Sequence, residues 1–358
     1  MKVVAFYITN YGFGHASRNI PIMEKLLRMD DELRIIVKTH TKQLKFIRQS
    51  LDVYNSRIVY CDESVDMGLI LKAGSYLVDK EKLRDELVRF ISTWDERVEK
   101  EKLFLKEEGV QLVISDIVPW IFEASHQLKI RSIAISNFTW DQVYDDLLHD
   151  RSALLYEDCY KKADYVFEYP LAKHVILNHD HILKIGLSCR EFSDEAIREI
   201  KARFKKPLVY VSLGRSVNMN QKINVEDLPY DFVYTAGIKL KGSNAHQLST
   251  DAINTQDYIK ASELVITKAG WSTVAEAICA RKPMLVMSRP EITEDRDTVN
   301  HLFRMKIAKL IYFSQLNSVD LKIAIEEGKK LEGNYEFLDD RYQDESIEIA
   351  KEILKLIK

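Results

Sequence analysis

The sequence predicts an α/β protein made of two consecutive parallel-sheet halves, and three observations carry that prediction. At 358 residues the chain exceeds what one compact core usually serves. Short Val- and Ile-rich runs alternate with longer amphipathic stretches, which is the pattern of βαβ units. The alternation starts afresh midway, after a charged connecting stretch.

The first series of predicted strands is Val3–Ile8, Leu33–Val37, Leu112–Ile114, Ser132–Ile135 and Tyr165–Glu168. These runs suit strands buried on both faces. The second series is Leu208–Gly214, Phe232–Thr235, Leu264–Thr267 and Met284–Met287. Each half is therefore expected to be Rossmann-like. Between them, Lys184-Ile185-Gly186-Leu187 leads into the charged stretch Arg190–Lys206, read as a linker and the helix that opens the second half. The boundary is placed at Gly186, giving domains at 1–186 and 187–340. In residues 341–358, Ile347, Ile349, Ile353, Leu354 and Ile357 define an amphipathic helix, expected to cap the second domain or to pack back on the first. The charged segment Lys80–Glu108 reads as one long helix with a solvated face.

Composition narrows the function classes. Hydrophobic residues make up 46% and charged residues 30%, a globular balance. With 52 basic and 55 acidic residues the net charge is −3, which offers no overall positive field for nucleic acid. Cys61, Cys159, Cys189 and Cys279 are too widely spaced for a zinc site or a disulfide framework, and read as reduced cytoplasmic thiols. Met1–Ile8 reads as a core strand rather than a signal peptide. No uncharged apolar stretch approaches the roughly 20 residues a spanning helix needs, so membrane contact is expected to be peripheral at most, at the inner face.

The first predicted strand runs into Asn10-Tyr11-Gly12-Phe13-Gly14-His15-Ala16-Ser17-Arg18 and then a helix. That arrangement sets a helix N-terminus at the sheet's carboxyl edge, where amides and the helix dipole favour an anionic or polar ligand. Glycines alone would serve a tight turn equally well. His15 adds a group able to take a proton near neutrality, against the alternative of a capping or structural role. Asp116 ends another predicted strand, in Ile114-Ser115-Asp116-Ile117, and is placed to fix the imidazole tautomer; the competing reading is an N-cap of the next helix.

In the second half, Thr267-Lys268-Ala269-Gly270-Trp271-Ser272-Thr273-Val274-Ala275-Glu276 reads as a strand end followed by a helix start. Free amides and hydroxyls there suit a diphosphate, and Glu276, one turn in, suits ribose hydroxyls. A capping box of Ser272 or Thr273 with Glu276 explains the same spacing. The next predicted loop, Arg289–Asn300, is polar and acidic, suited to sugar hydroxyls or simply to solvent.

These residues resemble the nucleotide-sugar glycosyltransferases of GT-B fold, within them the lipid II GlcNAc transferase group, and also the transferase-like N-terminal part of plant arabinokinases. The resemblance implies two Rossmann-like domains facing across a cleft. It implies His15 as the acceptor-deprotonating base and Asp116 as its dyad partner. On the donor side it implies Gly14, the loop at Gly214 and Arg215, Gly270, Ser272 and Thr273 near the diphosphate, and Glu276 at the ribose. The sugar-contacting pair of many relatives is replaced here by Arg296-Asp297, three residues before Asn300. Gly12 to Arg18 also resembles the loop of the nucleotide-sugar hydrolase in pseudaminic acid synthesis.

The resulting expectation is an inverting transferase that uses a nucleotide-sugar, with UDP implied by the resemblance. Neither metal nor organic cofactor is required. The alternatives are a hydrolase that directs His15 at water, and a non-catalytic sugar-nucleotide-binding module. Asn137 and Trp140, with Trp120, Phe138 and Tyr144, are candidates for the acceptor side, although aromatic residues at such positions more often fill the core.

Overall fold

The computed structural model describes residues 2–73, 77–149, 153–172, 176, 179–214 and 222–357. The first half begins β1 (Lys2–Ile8), α1 (Gly14–Met29), β2 (Leu33–Thr39), α2 (Thr41–Ser50) and β3 (Ile58–Asp62). It continues α3 (Lys80–Ser92), α4 (Trp94–Glu107), β4 (Leu112–Asp116), α5 (Trp120–Leu128) and β5 (Arg131–Ser136), then α6 (Trp140–Leu148), α7 (Leu154–Tyr160), β6 (Tyr165–Glu168) and β7 (Ile182–Lys184). Its seven strands are parallel in the order β3-β2-β1-β4-β5-β6-β7.

The second half runs α8 (Asp194–Arg203), β8 (Leu208–Ser212), β9 (Lys222–Asn224), β10 (Asp231–Tyr234), β11 (Lys239–Lys241), β12 (Ala245–Gln247), α9 (Thr255–Ala261) and β13 (Leu264–Lys268). Then come α10 (Trp271–Cys279), β14 (Met284–Met287), α11 (Thr293–Met305), β15 (Ala308–Leu310), α12 (Ser318–Lys329) and α13 (Ser346–Leu356). Six strands form a second parallel sheet, β12-β10-β8-β13-β14-β15, and β9 pairs with β11 beside it. Both large sheets cross over at their first strand, so each carries a switch point where ligands of α/β sheets gather.

The apolar runs are buried on both faces, as strands inside βαβ units must be. Along β1, Val4, Phe6 and Ile8 enter one core while Val3, Ala5 and Tyr7 enter another on the opposite face. The first of these cores also takes in Ile20 and Met23 of α1, Trp271 and Val274 of α10, and Ile349 and Ile353 of α13. Apolar packing therefore runs without a break from one half to the other.

The last helix lies against α1, on the first half. Leu187 bridges Asp344, and Gly186 N donates to Glu345 Oε2 at 2.7 Å, so linker and tail lie side by side. The charged segment expected as one helix is two, α3 and α4, parted at Thr93. Strands β3, β7, β12 and β15 have short or half-exposed apolar runs and give little periodic signal. Among the described residues no helix is long and apolar enough to cross a membrane.

Candidate active site

Parallel pairing of β1 with β4 sets Ile8 beside Asp116, so the loop after β1 and the end of β4 meet at one edge. The first-turn amides of α1 have no side-chain cap. His15 stands in that turn, lines the cleft between the halves, and is only 7% exposed. Its Nδ1 is 2.9 Å from Asp116 Oδ1. Asp116 does not cap a helix, because α5 begins four residues later with Pro119 at its N-cap.

Asp116 is the hub of a buried network. Arg18 Nε donates to Oδ2 at 2.7 Å, Arg18 Nη2 to Oδ1 at 2.5 Å, and Asn19 Nδ2 to Oδ2 at 2.6 Å. Burial opposes ionisation of this carboxyl, but Arg18 and then His15 outweigh it and hold the group at about 2. The Arg18 guanidinium lies 5.1 and 5.2 Å from the ring centroids of Tyr169 and Trp271, and its Nη1 donates to Asn137 Oδ1 at 2.5 Å.

Arg18 Nη2 is also 2.9 Å from His15 Nδ1. A ring nitrogen cannot donate to Asp116 and accept from Arg18 at once, and a carboxylate only accepts, so we assign the proton to Nδ1. In the neutral imidazole the lone pair then sits on Nε2, which makes no hydrogen bond among the described residues. A neutral imidazole with one nitrogen anchored and the other open is the arrangement a general base needs.

The opposite wall is the turn from β13 into α10. Gly270 is the N-cap of α10 and no side chain caps the helix. The capping-box reading is not what forms: Ser272 Oγ instead donates across the halves to Gly14 O at 2.7 Å. A Cβ on Gly14 would stand 3.1 Å from that hydroxyl, which accounts for glycine at the crossing point. The ammonium of Lys268 has no hydrogen bond or ion pair among the described residues. Its stem passes between two glycines, where a Cβ on Gly214 or Gly270 would fall 3.0 or 3.1 Å from Cε. Gly214 itself has φ +82°, a conformation that favours glycine.

Glu276 faces the same cleft. Its Oε1 accepts from Ser17 Oγ at 3.1 Å and from Arg190 Nε at 2.8 Å, with Arg190 Nη2 at 2.7 Å from the same oxygen. Tyr210, Ser212, Thr235 and Thr255 also line the cleft.

The cleft thus brings together Gly14, His15, Gly214, Gly270, Ser272, Thr273 and Glu276, with Asp116 directly behind His15. Other expected site residues lie elsewhere. The polar loop expected through Asp297 and Asn300 is the helix α11, which carries them away from the cleft, so that Glu294 near its start is the residue that lines it. Asn300 lines a neighbouring cavity, with Arg289 and Arg296, whose wall includes Lys268. Asn137 is buried as a partner of Arg18, and Trp140 stacks on Tyr144 and donates its indole N–H to Asp66 Oδ2 at 2.9 Å; neither lines the cleft. Trp120, Phe138 and Tyr144 are core residues as well. Arg215 lies outside the described residues. Asn19, Arg190, Lys268 and Glu294 went unread in the sequence; Arg18 was legible only as part of a motif, although a spacing of three on a helix sets it beside His15.

Comparison with known proteins bears on the fold. Residues 222–317 match the family model of the Glycosyltransferase family 28 C-terminal domain. Solved structures that superpose over nearly the whole chain include the glycotransferase of kitacinnamycin, at TM-score 0.67 and 12% identity, covering 99% of both chains. Phytolacca americana UGT2, complexed with UDP-2fluoro-glucose and pterostilbene, superposes at TM-score 0.67 and 13% identity, again with 99% of both chains. The glycosyltransferase VinC in complex with dTDP gives TM-score 0.63 at 12% identity and 99% coverage of both. At such identities these matches establish the fold. The L-arabinokinase of Arabidopsis thaliana is 25% identical over 311 residues, 82% of this chain, and the matched part is 29% of that relative's length. Fold and matched segment together define a glycosyltransferase-like protein of GT-B fold.

Proposed function

We propose that this chain is an inverting glycosyltransferase that moves a sugar from a nucleotide-sugar, a UDP-sugar in the first instance, to an acceptor hydroxyl. The observation that carries the reading is His15, anchored to Asp116 through Nδ1, facing the uncapped start of α10 across one cleft. In this reading Nε2 takes the acceptor's hydroxyl proton as that oxygen bonds to the anomeric carbon. The bond from that carbon to the diphosphate breaks, and the electron pair leaves with the nucleoside diphosphate. The α10 amides, the Ser272–Thr273 turn and the Lys268 ammonium meet the charge that develops. Glu276 accepts from the ribose.

Two substitutions test this reading. His15→Ala is expected to lower kcat by about 10²- to 10⁴-fold with UDP affinity nearly unchanged, as measured by steady-state kinetics and calorimetry. Glu276→Ala is expected to weaken UDP binding instead. Wild-type turnover in His15→Ala would sink the mechanism. Rapid UDP release from a UDP-sugar with no acceptor present would turn the reading to hydrolysis.

A further inference from the structure

The two oxygens of Glu276 are in different situations. Oε1 is held by Ser17 Oγ and by the Nε and Nη2 atoms of Arg190. Oε2 makes no hydrogen bond among the described residues, and the side chain lines the cleft. We infer that Arg190, with Ser17 as its lesser partner, is a positioning residue for the nucleotide ribose: it fixes one Glu276 oxygen so that the other is presented to the ribose hydroxyls. The inference rests on the donor site proposed above and goes beyond it in assigning recognition of those hydroxyls to a linker residue that acts through Glu276.

Arg190 is itself locked. Its Nη1 donates to Ile253 O, its Nη2 to Thr255 Oγ1 at 3.0 Å, and its guanidinium carbon is 5.5 Å from the ring centroid of Phe46 in the first half. The planar fork therefore has three contacts from two separate segments besides Glu276, so the carboxylate inherits a single orientation. A buried carboxylate deprived of its cation is costly to keep in place, and turns towards water or loses its aim. Ser17 stands on α1 two residues after His15, so the helix that carries the proposed base also touches the group that would hold the donor.

The test compares UDP with its 2′,3′-dideoxy analogue by calorimetry on the full chain. A hydrogen bond to a charged group corresponds to roughly ten- to hundredfold in affinity. Wild type is expected to prefer UDP by at least about tenfold, and Arg190→Met to lose most of that preference by weakening UDP while leaving the dideoxy analogue bound as before. Ser17→Ala should reduce the preference by about two- to threefold. If Arg190→Met fails to fold, Arg190→Lys, which keeps the charge but not the fork, should show a smaller loss of the same kind. An unchanged preference in these variants overturns the inference and leaves the donor site standing. Equal weakening of both ligands also overturns it, since that is what structural damage produces. A wild type that binds UDP without preferring it to the dideoxy analogue removes the ribose role of Glu276 itself.

Discussion

At the first half's wall of the cleft, Asp116 receives three nitrogen-bearing side chains within 2.9 Å. At the second half's wall, Lys268 meets no acceptor among the described residues, and α10 begins without a side-chain cap. The Asp116 carboxylate of the first wall has its charge partners before any ligand arrives, so its geometry is fixed by folding. The second wall holds donors and positive charge that meet no acceptor among the described residues, and a diphosphate would complete it. A proton-transfer group needs a fixed position, whereas an anion site needs unspent donors; the two walls differ in the way the proposed tasks require.

The largest effect that could break this comparison lies in the first wall. Asp116→Asn removes the charge paired with buried Arg18 and should cost about 3–5 kcal/mol of stability, read by denaturant unfolding. The acid limb gives the same information without a substitution. The folded Asp116 carboxyl titrates at about 2, below its ordinary 3.8. Its stabilising contribution, on the order of 2 kcal/mol, is therefore present above about pH 4 and lost as pH falls towards 2. Asp116→Asn should flatten that part of the stability profile.

Lys268→Met should act oppositely. Stability is expected to change by less than about 0.5 kcal/mol, because no partner among the described residues is lost. UDP affinity should fall roughly ten- to a hundredfold while uridine, which lacks the diphosphate, binds as before. A Lys268 variant that unfolds as readily as Asp116→Asn would show that the second wall is also a structural assembly. The smallest expected effect sharpens the same point: if helix amides and Lys268 supply the charge, a chelator should leave turnover within about twofold of its untreated value.

Much of this architecture could be read from the chain because buried parallel strands are nearly continuous apolar runs, and strand ends locate the site edge. His15, Asp116 and the Gly270–Glu276 turn were legible for that reason. The misplacements have physical causes too. Thr293-Glu294-Asp295 is an acidic first turn that starts a helix, and reading it as loop put Asp297 and Asn300 at the cleft. Trp140 and Asn137 follow a strand end, as site residues do, but one fills the core and the other satisfies Arg18. Arg190 lies 86 residues from Glu276 in sequence, and no local pattern marks a partnership made only by the tertiary fold of the second half.

The side-by-side run of linker and tail has a mechanical consequence. Two bodies joined by one strand of chain can swivel about any axis; joined by two adjacent strands bonded to each other, they are left with rotation about the line of the join. Leu187 against Asp344, and Cys189 N bonded to Asp344 Oδ1 at 2.9 Å, form that double join. Any rotation that parted the halves would turn about this join like a pinned door, so that small angles at residues 186–190 would become large displacements at the far rim. Arg190 sits at the pin, where displacement is least, which is the place to mount a part whose aim must survive every stroke.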